Sequence, residues 1–299
     1  MRMLTLTTTI VLTLASSSLV IANGRGHLVI VGGGGTPDVV LEKMVELAGG
    51  KDAKIVVLPQ ASASESRGSA AVEKFASIGA NKAQVLELAD LAAAAKAIEG
   101  ADLIWFSGGS QRRLAEALHS AKLVDAIRRR HAEGAVIGGS SAGAAVMSEL
   151  MIPGSPDEQR FVAGNTPISR GFGLAPELII DQHFVRRSRM NRLLSAVMDH
   201  PDRIGVGIDE RTAIIVSEKR LTVYGESSVV IIDARGKAKV AETGQLQSAR
   251  KIRLSVLSQG DSFDFSGMEP VTVPASAGTI CACQATIGPP WDLPEGLRI

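Results

Sequence analysis

The chain has 299 residues, 45% of them hydrophobic and only 3% aromatic, so it is long enough to bury a large core made mainly of aliphatic side chains. Its 32 Lys and Arg residues nearly balance its 31 Asp and Glu residues, which gives a formal net charge of +1. This composition excludes an intrinsically disordered chain and an extended basic surface, and we therefore expect no nucleic-acid partner.

Residues 1–22 have the pattern of a secretory signal peptide. A short basic start precedes an apolar, threonine-rich run from Leu4 to Ala15, and three serines follow. Residues 20–22 then supply the small or aliphatic side chains that signal peptidase accepts. We expect cleavage after Ala22, a secreted or periplasmic location and no membrane segment in the mature chain. A buried first strand or helix is the alternative interpretation.

Between residues 27 and 143, predicted strands and helices alternate. The predicted strands are residues 27–31, 54–58, 84–88, 102–106 and 135–138, and the predicted helices are a segment that begins at residue 38, residues 70–78, 92–98 and 111–130. Because the strands are apolar throughout, the pattern predicts a mostly parallel sheet with helices on both faces. Ligands bind beyond the carboxyl ends of such strands, where three glycine-rich turns occur at residues 32–35, 107–109 and 138–143.

The second part of the chain has a different pattern. Short β segments at residues 204–208, 213–217, 221–225 and 229–233 are separated by turn residues. We predict that they extend the same sheet with mixed or antiparallel pairing. No repeat or linker divides the chain, which predicts a single domain over residues 23–299 whose last part, residues 266–299, is left unassigned. The C-x-C pair Cys281 and Cys283 is interpreted as two ordinary residues.

The first glycine run does not fit a dinucleotide-binding loop. Pro37 stands where the third glycine of that motif belongs, and Pro59-Gln60 stands where an acidic residue should end the second strand. A tight turn or a substrate-facing loop is the better interpretation of residues 32–35. We expect neither an organic cofactor nor a metal ion.

Residues 139–143, Gly-Ser-Ser-Ala-Gly, form a G-x-S-x-G motif between a buried strand and an alanine-rich segment. This is the context of a nucleophile elbow, in which a tight turn exposes a serine hydroxyl. The motif therefore predicts Ser141 as a nucleophile. The backbone N–H groups of Ala142 and of Gly109, which ends a neighbouring strand, are the candidate oxyanion-hole donors.

A serine nucleophile needs a base, and the base needs an orienting acid. Of the five histidines, His183 alone directly follows the carboxyl end of a predicted strand, after Asp181-Gln182. Two acidic pairs are candidates for the third group: Asp209 and Glu210 after the segment 204–208, and Asp157 and Glu158 in a loop. The residue pattern leaves the choice between the two pairs open.

Four arginines follow the candidate base within seven residues. On a helix, Arg186, Arg189 and Arg192 would share one face. A solvated helix face is one interpretation, and recognition of substrate carboxylates is the other, since the guanidinium group suits it.

Four of these motifs together resemble the cyanophycinase family of serine peptidases, which is related to peptidase E, the aspartyl dipeptidases. They are Phe-Ser-Gly-Gly-Ser-Gln at 106–111, Gly-Gly-Ser-Ser-Ala-Gly-Ala at 138–144, Asp-Gln-His-Phe at 181–184 and Gly-Ile-Asp-Glu-Arg-Thr-Ala at 207–213. The resemblance extends from about His27 to about Phe265. It implies a flavodoxin-like, class I glutamine-amidotransferase-like α/β fold, with a mostly parallel sheet, helices on both faces and an extension by C-terminal β-strands.

The resemblance also implies roles for individual residues. Ser141, His183 and Glu210 fall on the Ser-His-Glu triad of the family, which selects Glu210 among the acids. Positions that look like the substrate contacts of the family are Gln111, Asp181, Gln182, Arg187, Arg189 and Arg192. We expect Asp181 to contact a substrate guanidinium and the arginines to contact carboxylates.

The implied activity is hydrolysis of cyanophycin, a poly-aspartate with arginine on each β-carboxyl group, to β-Asp-Arg dipeptides. An aspartyl or isoaspartyl dipeptidase and a non-catalytic binding protein that retains the pocket are the alternatives. The expected partner is a peptide or a cyanophycin-like substrate, and a homodimer is among the expected assemblies. Ser110, in place of a frequent acidic residue, Ser140, in place of a common Thr, and the signal peptide depart from the family pattern.

Overall fold

The fold is known from a computed structural model, which describes residues 26–267 except for residues 65, 155–159 and 237 and the side chain of residue 67. The predicted signal peptide, the acidic pair at 157–158, the two cysteines and residues 268–299 lie outside this part of the chain. None of the helices in the described ranges has the length and apolar character that a membrane crossing requires.

The first half of the chain alternates strands and helices as predicted. In chain order it contains β1 (Leu28–Val31), α1 (Asp38–Leu47), β2 (Ile55–Leu58), α2 (Ser66–Ser77), β3 (Ala83–Val85), α3 (Leu91–Glu99), β4 (Leu103–Phe106), α4 (Gln111–Ser120), α5 (Val124–Ala132), β5 (Val136–Ser140) and α6 (Ala142–Ala145). The second half is richer in strands. It contains β6 (Leu150–Met151), β7 (Ser169–Arg170), β8 (Leu178–Gln182), α7 (Met190–Asp199), β9 (Ile204–Ile208), β10 (Thr212–Ser217), β11 (Arg220–Gly225), β12 (Val229–Asp233), β13 (Ala238–Lys239), β14 (Ser248–Ala249), β15 (Arg253–Leu257) and β16 (Ser262–Asp264).

The main sheet has eight strands in the order β16-β11-β10-β1-β5-β4-β2-β3. The five strands from β1 to β3 in this order run parallel, and β10, β11 and β16 add antiparallel pairs at the β1 side. The predicted mostly parallel α/β sheet with a C-terminal β extension is therefore confirmed.

Two of the later β segments do not extend this sheet. β9 and β12 join β8 and β15 in a second, four-stranded sheet of order β15-β12-β9-β8. The prediction that all four segments extend one sheet was wrong for these two. Their residues are buried on both faces, because one face packs towards the main sheet and α7 covers the other.

The core is arranged in layers, because successive side chains of a strand point to opposite faces. In β1, Val29 and Val31 pack with α1 and α2, whereas Leu28 and Ile30 pack with α3 to α6 and with the inner face of the second sheet. A third cluster joins α7 to the outer face of the second sheet. The two sheets thus share the central apolar layer that carries β5 and β8, the two strands that precede Ser141 and His183.

The structure departs from the helical interpretation of the sequence at two places. The predicted helix 111–130 is two helices, α4 and α5, because the chain breaks at Lys122, whose φ is +57°. The arginine-rich segment 186–189 is not helical, and α7 begins only at Met190. Positive φ angles at His183 (50°) and Ser188 (52°) are incompatible with a helix there, so Arg186, Arg189 and Arg192 do not share a helix face.

Candidate active site

Ser141 lies in a strained turn between β5 and α6. Its φ of 55° and ψ of −108° lie outside the regions that L-residues commonly adopt. The turn can close because its two glycines contact neighbouring backbone: a Cβ on Gly139 would lie 2.5 Å from the carbonyl oxygen of Gly143, and one on Gly143 would lie 2.3 Å from that of Phe106. The N–H of Ser141 donates to the carbonyl oxygen of Val31 at 3.0 Å, which fixes the turn to β1.

Ser141, His183 and Glu210 form one chain of hydrogen bonds. The Oγ of Ser141 lies 2.9 Å from Nε2 of His183, and Nδ1 of His183 lies 2.6 Å from Oε1 of Glu210. His183 directly follows β8, and Glu210 lies just beyond the end of β9, so two adjacent parallel strands of the second sheet deliver the base and the acid. A hydroxyl, an imidazole and a carboxylate in this order have the geometry of an activated nucleophile.

The glycine run at residues 32–35 makes room for the imidazole and the carboxylate. A Cβ on Gly33 would lie 2.4 Å from Cε1 of His183, and a Cβ on Gly34 would lie 2.6 Å from Cβ of Glu210. The carbonyl oxygen of Gly32 also accepts from the N–H of His183 at 2.8 Å. The sequence indicated a tight turn or a substrate-facing loop here, but not this support for His183 and Glu210. The close approach of a glycine run to two strand ends is visible only once the sheets are assembled.

Asp209 and Glu210, adjacent in sequence, have different partners. One carboxylate oxygen of Asp209 accepts from the N–H of Arg186 at 2.9 Å, and the other accepts from the hydroxyl of Ser227 at 2.8 Å. Burial acts to raise the pKa of Asp209, but these hydrogen bonds outweigh it, so that the pKa is lowered. Asp209 therefore holds the turn that follows His183, while Glu210 contacts the imidazole.

Burial is the main influence on His183, and it lowers the pKa of the imidazole below its ordinary value of 6.5. The hydrogen bond from His183 to Glu210 acts in the opposite direction, and the positive charges of Arg187 and Arg189 act in the same direction as burial. The neutral imidazole, which can accept a proton from Ser141, is therefore the favoured form at neutral pH.

A cavity of about 500 Å³ opens beside Ser141 and His183. Its walls come from the glycine run, α1, α2 and the turn after β4, and they include Gly109, the candidate oxyanion donor. The volume lies in the range of small-ligand sites. The cavity can therefore hold the part of a ligand that lies next to a bond positioned at Oγ of Ser141.

Several of the predicted substrate contacts are instead held by other parts of the protein. Arg192 and Asp181 form a buried ion pair, with Nε of Arg192 2.7 Å from Oδ2 of Asp181 and about 1% of each side chain exposed. This differs from the expected contact between Asp181 and a substrate guanidinium, because Arg192 already occupies that carboxylate. Gln111, also buried, donates to the carbonyl oxygen of Ile152 at 3.0 Å.

The remaining predicted contacts are closer to the hydrogen-bonded chain. Oε1 of Gln182 lies 3.3 Å from Oγ of Ser141. Arg189 is buried and donates to the backbone carbonyl oxygen of Gln182, whereas Arg187 is exposed and its N–H donates to the carbonyl oxygen of His183. Ser110, one of the departures from the family pattern, caps α4 by accepting from the N–H of Arg113.

The family model of Peptidase family S51 matches residues 28–224, which include Ser141, His183 and Glu210. The chain belongs to peptidase family S51. This confirms the resemblance read from the four motifs, and as an S51 member the protein is a peptidase. A curated relative named cyanophycinase, from Geminocystis herdmanii, is 35% identical over 245 residues, which cover 78% of this chain and 90% of the relative.

Two solved structures have the same fold as this S51 member. A peptidase from an acI-B1 Actinobacterium superposes with a TM-score of 0.61 at 24% identity and covers 81% of this chain and 98% of its own. A putative peptidase E protein from Listeria monocytogenes superposes with a TM-score of 0.52 at 17% identity, over 68% of this chain and the whole of its own. These likenesses agree with the predicted flavodoxin-like fold.

Proposed function

We propose that the protein is a serine exopeptidase that hydrolyses cyanophycin to β-Asp-Arg dipeptides. The observation that carries the proposal is the hydrogen-bonded chain of Ser141, His183 and Glu210 beside a cavity that Ser141 and His183 line. Further support comes from the cyanophycinases among the relatives, such as that of Geminocystis herdmanii.

In the proposed reaction, Oγ of Ser141 attacks a backbone carbonyl carbon of the substrate, and its proton passes to Nε2 of His183. The backbone N–H groups of Gly109 and Ala142 stabilise the oxyanion of the tetrahedral intermediate. The C–N bond then breaks, and His183 gives its proton to the leaving amine. A water molecule, deprotonated by His183, hydrolyses the acyl-enzyme and regenerates Ser141.

Glu210 has two tasks in this reaction. Its hydrogen bond to Nδ1 keeps the imidazole proton on that nitrogen, so that Nε2 is free to accept the proton of Ser141. Its negative charge then stabilises the imidazolium that forms. The short distance of 2.6 Å between Oε1 and Nδ1 supports both tasks.

The test is a comparison of substrates. We expect the purified protein to release β-Asp-Arg from cyanophycin, identified by mass spectrometry, and to leave casein intact. Cleavage of isoaspartyl dipeptides without cleavage of cyanophycin would replace the proposal by a dipeptidase of the peptidase E type. Binding of cyanophycin without turnover would favour a binding protein that retains the pocket.

We also propose that the protein is exported and that residues 1–22 are removed. The basic start and the apolar run of the sequence support this proposal. Mass spectrometry of the protein recovered from its native cells should give an N-terminus at Asn23. A protein that retains Met1 would contradict it.

A further inference from the structure

The cavity beside Ser141 has a wall that none of the predicted substrate contacts forms. Leu41 of α1, Phe75 of α2 and Trp105 of β4 supply its apolar part. Phe75 and Trp105 meet edge to face, with ring centroids 5.9 Å apart, which holds both rings in place. An aliphatic chain can therefore lie against a fixed apolar surface near Ser141.

One Lys side chain and no Arg, Asp or Glu lines the cavity in the described part of the chain. This lysine is Lys74. Nζ of Lys74 lies 2.5 Å from Oδ1 of Asp38. The exposed fractions of the two side chains are 47% and 64%, respectively. Exposed ion pairs of this kind contribute little to stability, so a ligand carboxylate can take the place of Asp38.

Ser107 lines the same cavity and carries a buried hydroxyl. It directly follows β4, precedes Gly108 at the side of Ser141, and is about 2% exposed. Its Oγ has no hydrogen-bond partner within the described ranges. Buried hydroxyl groups in proteins are nearly always paired, so this one has an open bond for a water molecule or a bound ligand.

We propose that the cavity is a subsite for a substrate residue that carries a carboxylate on an aliphatic stem. The carboxylate pairs with Lys74, the stem lies against Leu41, Phe75 and Trp105, and a polar group near the scissile bond bonds to Ser107. The inference rests on the proposed function, in which the arginyl unit of the polymer has both a free α-carboxylate and an aliphatic stem.

The test uses two ligands, β-Asp-Arg and the same dipeptide with the arginine carboxylate converted to a primary amide. Calorimetry on the Ser141→Ala protein measures binding without turnover. Lys74→Met in this background should weaken binding of the carboxylate form by about tenfold and leave binding of the amide form unchanged, because only the former loses a charge-assisted hydrogen bond. Lys74→Arg should retain most of the affinity.

Lys43→Met is the matched control, because Lys43 on α1 also forms an exposed pair, with Glu46, but does not line the cavity. Equal binding of the carboxylate form before and after Lys74→Met would overturn the proposal, as would an equal loss for both ligands. These outcomes are independent of whether the wild-type protein hydrolyses cyanophycin, so failure of the subsite and failure of the proposed function are distinguishable.

Ser107→Ala tests the inner part of the subsite. Because the hydroxyl makes no bond within the described residues, its removal should leave the melting temperature unchanged or slightly raised. Affinity for both dipeptides should fall several-fold, since both forms retain the amide next to the stem. A lower melting temperature with unchanged affinity would show that Ser107 serves the fold and not the ligand.

Discussion

The two sides of Ser141 are built in opposite ways. On the side of β8 and α7, charged groups are buried and paired with one another, as in the Asp181–Arg192 pair with its side chains about 1% exposed. On the side of α1 and α2, the protein leaves a cavity lined by an exposed lysine and by Ser107, whose buried hydroxyl has no partner among the described residues. The first side holds His183 and Gln182 in position, and the second has space for a substrate.

This difference indicates that the β8 side positions the residues around Ser141 and that the cavity side binds the ligand. A ligand that replaced one member of a buried ion pair would leave the other charge buried without its partner, so such a pair is poorly suited to binding. A cavity with incomplete polar contacts can gain them from a ligand. Variants on the two sides should therefore fail in different ways, through stability on the β8 side and through substrate affinity on the cavity side.

The largest effect is expected at Ser141 itself, where the two sides meet. Ser141→Ala should lower kcat by about 10⁶-fold, because only the oxyanion donors and binding would remain. The melting temperature should change little, since a single hydroxyl is removed. Ser140→Ala is the neighbouring control and should retain activity. Loss of a triad nucleophile lowers kcat far more than a hundredfold. A Ser141→Ala protein with more than about a per cent of the wild-type kcat would therefore place the nucleophile elsewhere.

Glu210→Gln should lower kcat by about 10⁴-fold, because the amide can hold the imidazole but favours the wrong tautomer and cannot stabilise imidazolium. Steady-state kinetics on β-Asp-Arg polymers measures this. Neutralising the other candidate acids, by Asp157→Asn and Glu158→Gln, should have little effect. The opposite ranking would assign the acid to Asp157 or Glu158.

Loss of the buried pair on the β8 side should lower the free energy of unfolding. Arg192→Met leaves the Asp181 carboxylate buried without its main partner, and should lower the free energy of unfolding by about 3–5 kcal/mol in urea titrations. Glu226→Ala breaks the exposed Glu226–Arg211 pair and should cost about 1 kcal/mol or less. An Arg192→Met protein as stable as the wild type, with a raised KM only, would return Arg192 to the substrate-binding role predicted from the sequence.

The smallest effect is a shift in pH dependence. His183 must be neutral to accept the proton of Ser141, and burial lowers its pKa below 6.5. The kcat/KM should therefore be constant near neutral pH and should fall as the pH drops through a value below 6.5. Arg187 lowers the pKa of His183 further, so Arg187→Gln should move this acid limb to higher pH. Arg186→Gln is the control, and an acid limb that is the same in Arg187→Gln and the wild type would contradict the assignment.

Much of the site follows from the sequence because local patterns encode it. The elbow at residues 139–143 requires its own glycines, and His183 follows a strand end that an apolar segment marks. Glu210 also follows a strand end, but its choice over the other acids came from the family resemblance. The orientation of neighbouring parallel strands then brings these ends together. The strand–helix alternation of the first half was predictable for the same reason.

The rest depends on contacts between distant segments. No local pattern shows that Gly33 and Gly34 lie against His183 and Glu210, or that β9 and β12 leave the main sheet for a second one. The burial of Arg192 against Asp181 also depends on tertiary packing. A solvated helix face can have the same spacing of arginines, so the spacing alone does not reveal the buried pair. No sequence motif marks Lys74 as a residue of the cavity wall. Its helix, α2, is brought to the side of Ser141 by the packing of the sheet.

The proposed mechanism requires the hydroxyl of Ser141 to be the nucleophile and His183 to activate it. A fluorophosphonate reagent, followed by peptide mapping, tests it directly because the reagent forms a covalent bond with an activated serine. We predict one modified residue, Ser141, in the wild-type protein, and strongly reduced labelling in His183→Ala. Labelling at another serine, or equal labelling of Ser141 with and without His183, would show that Ser141 is not a nucleophile activated by His183.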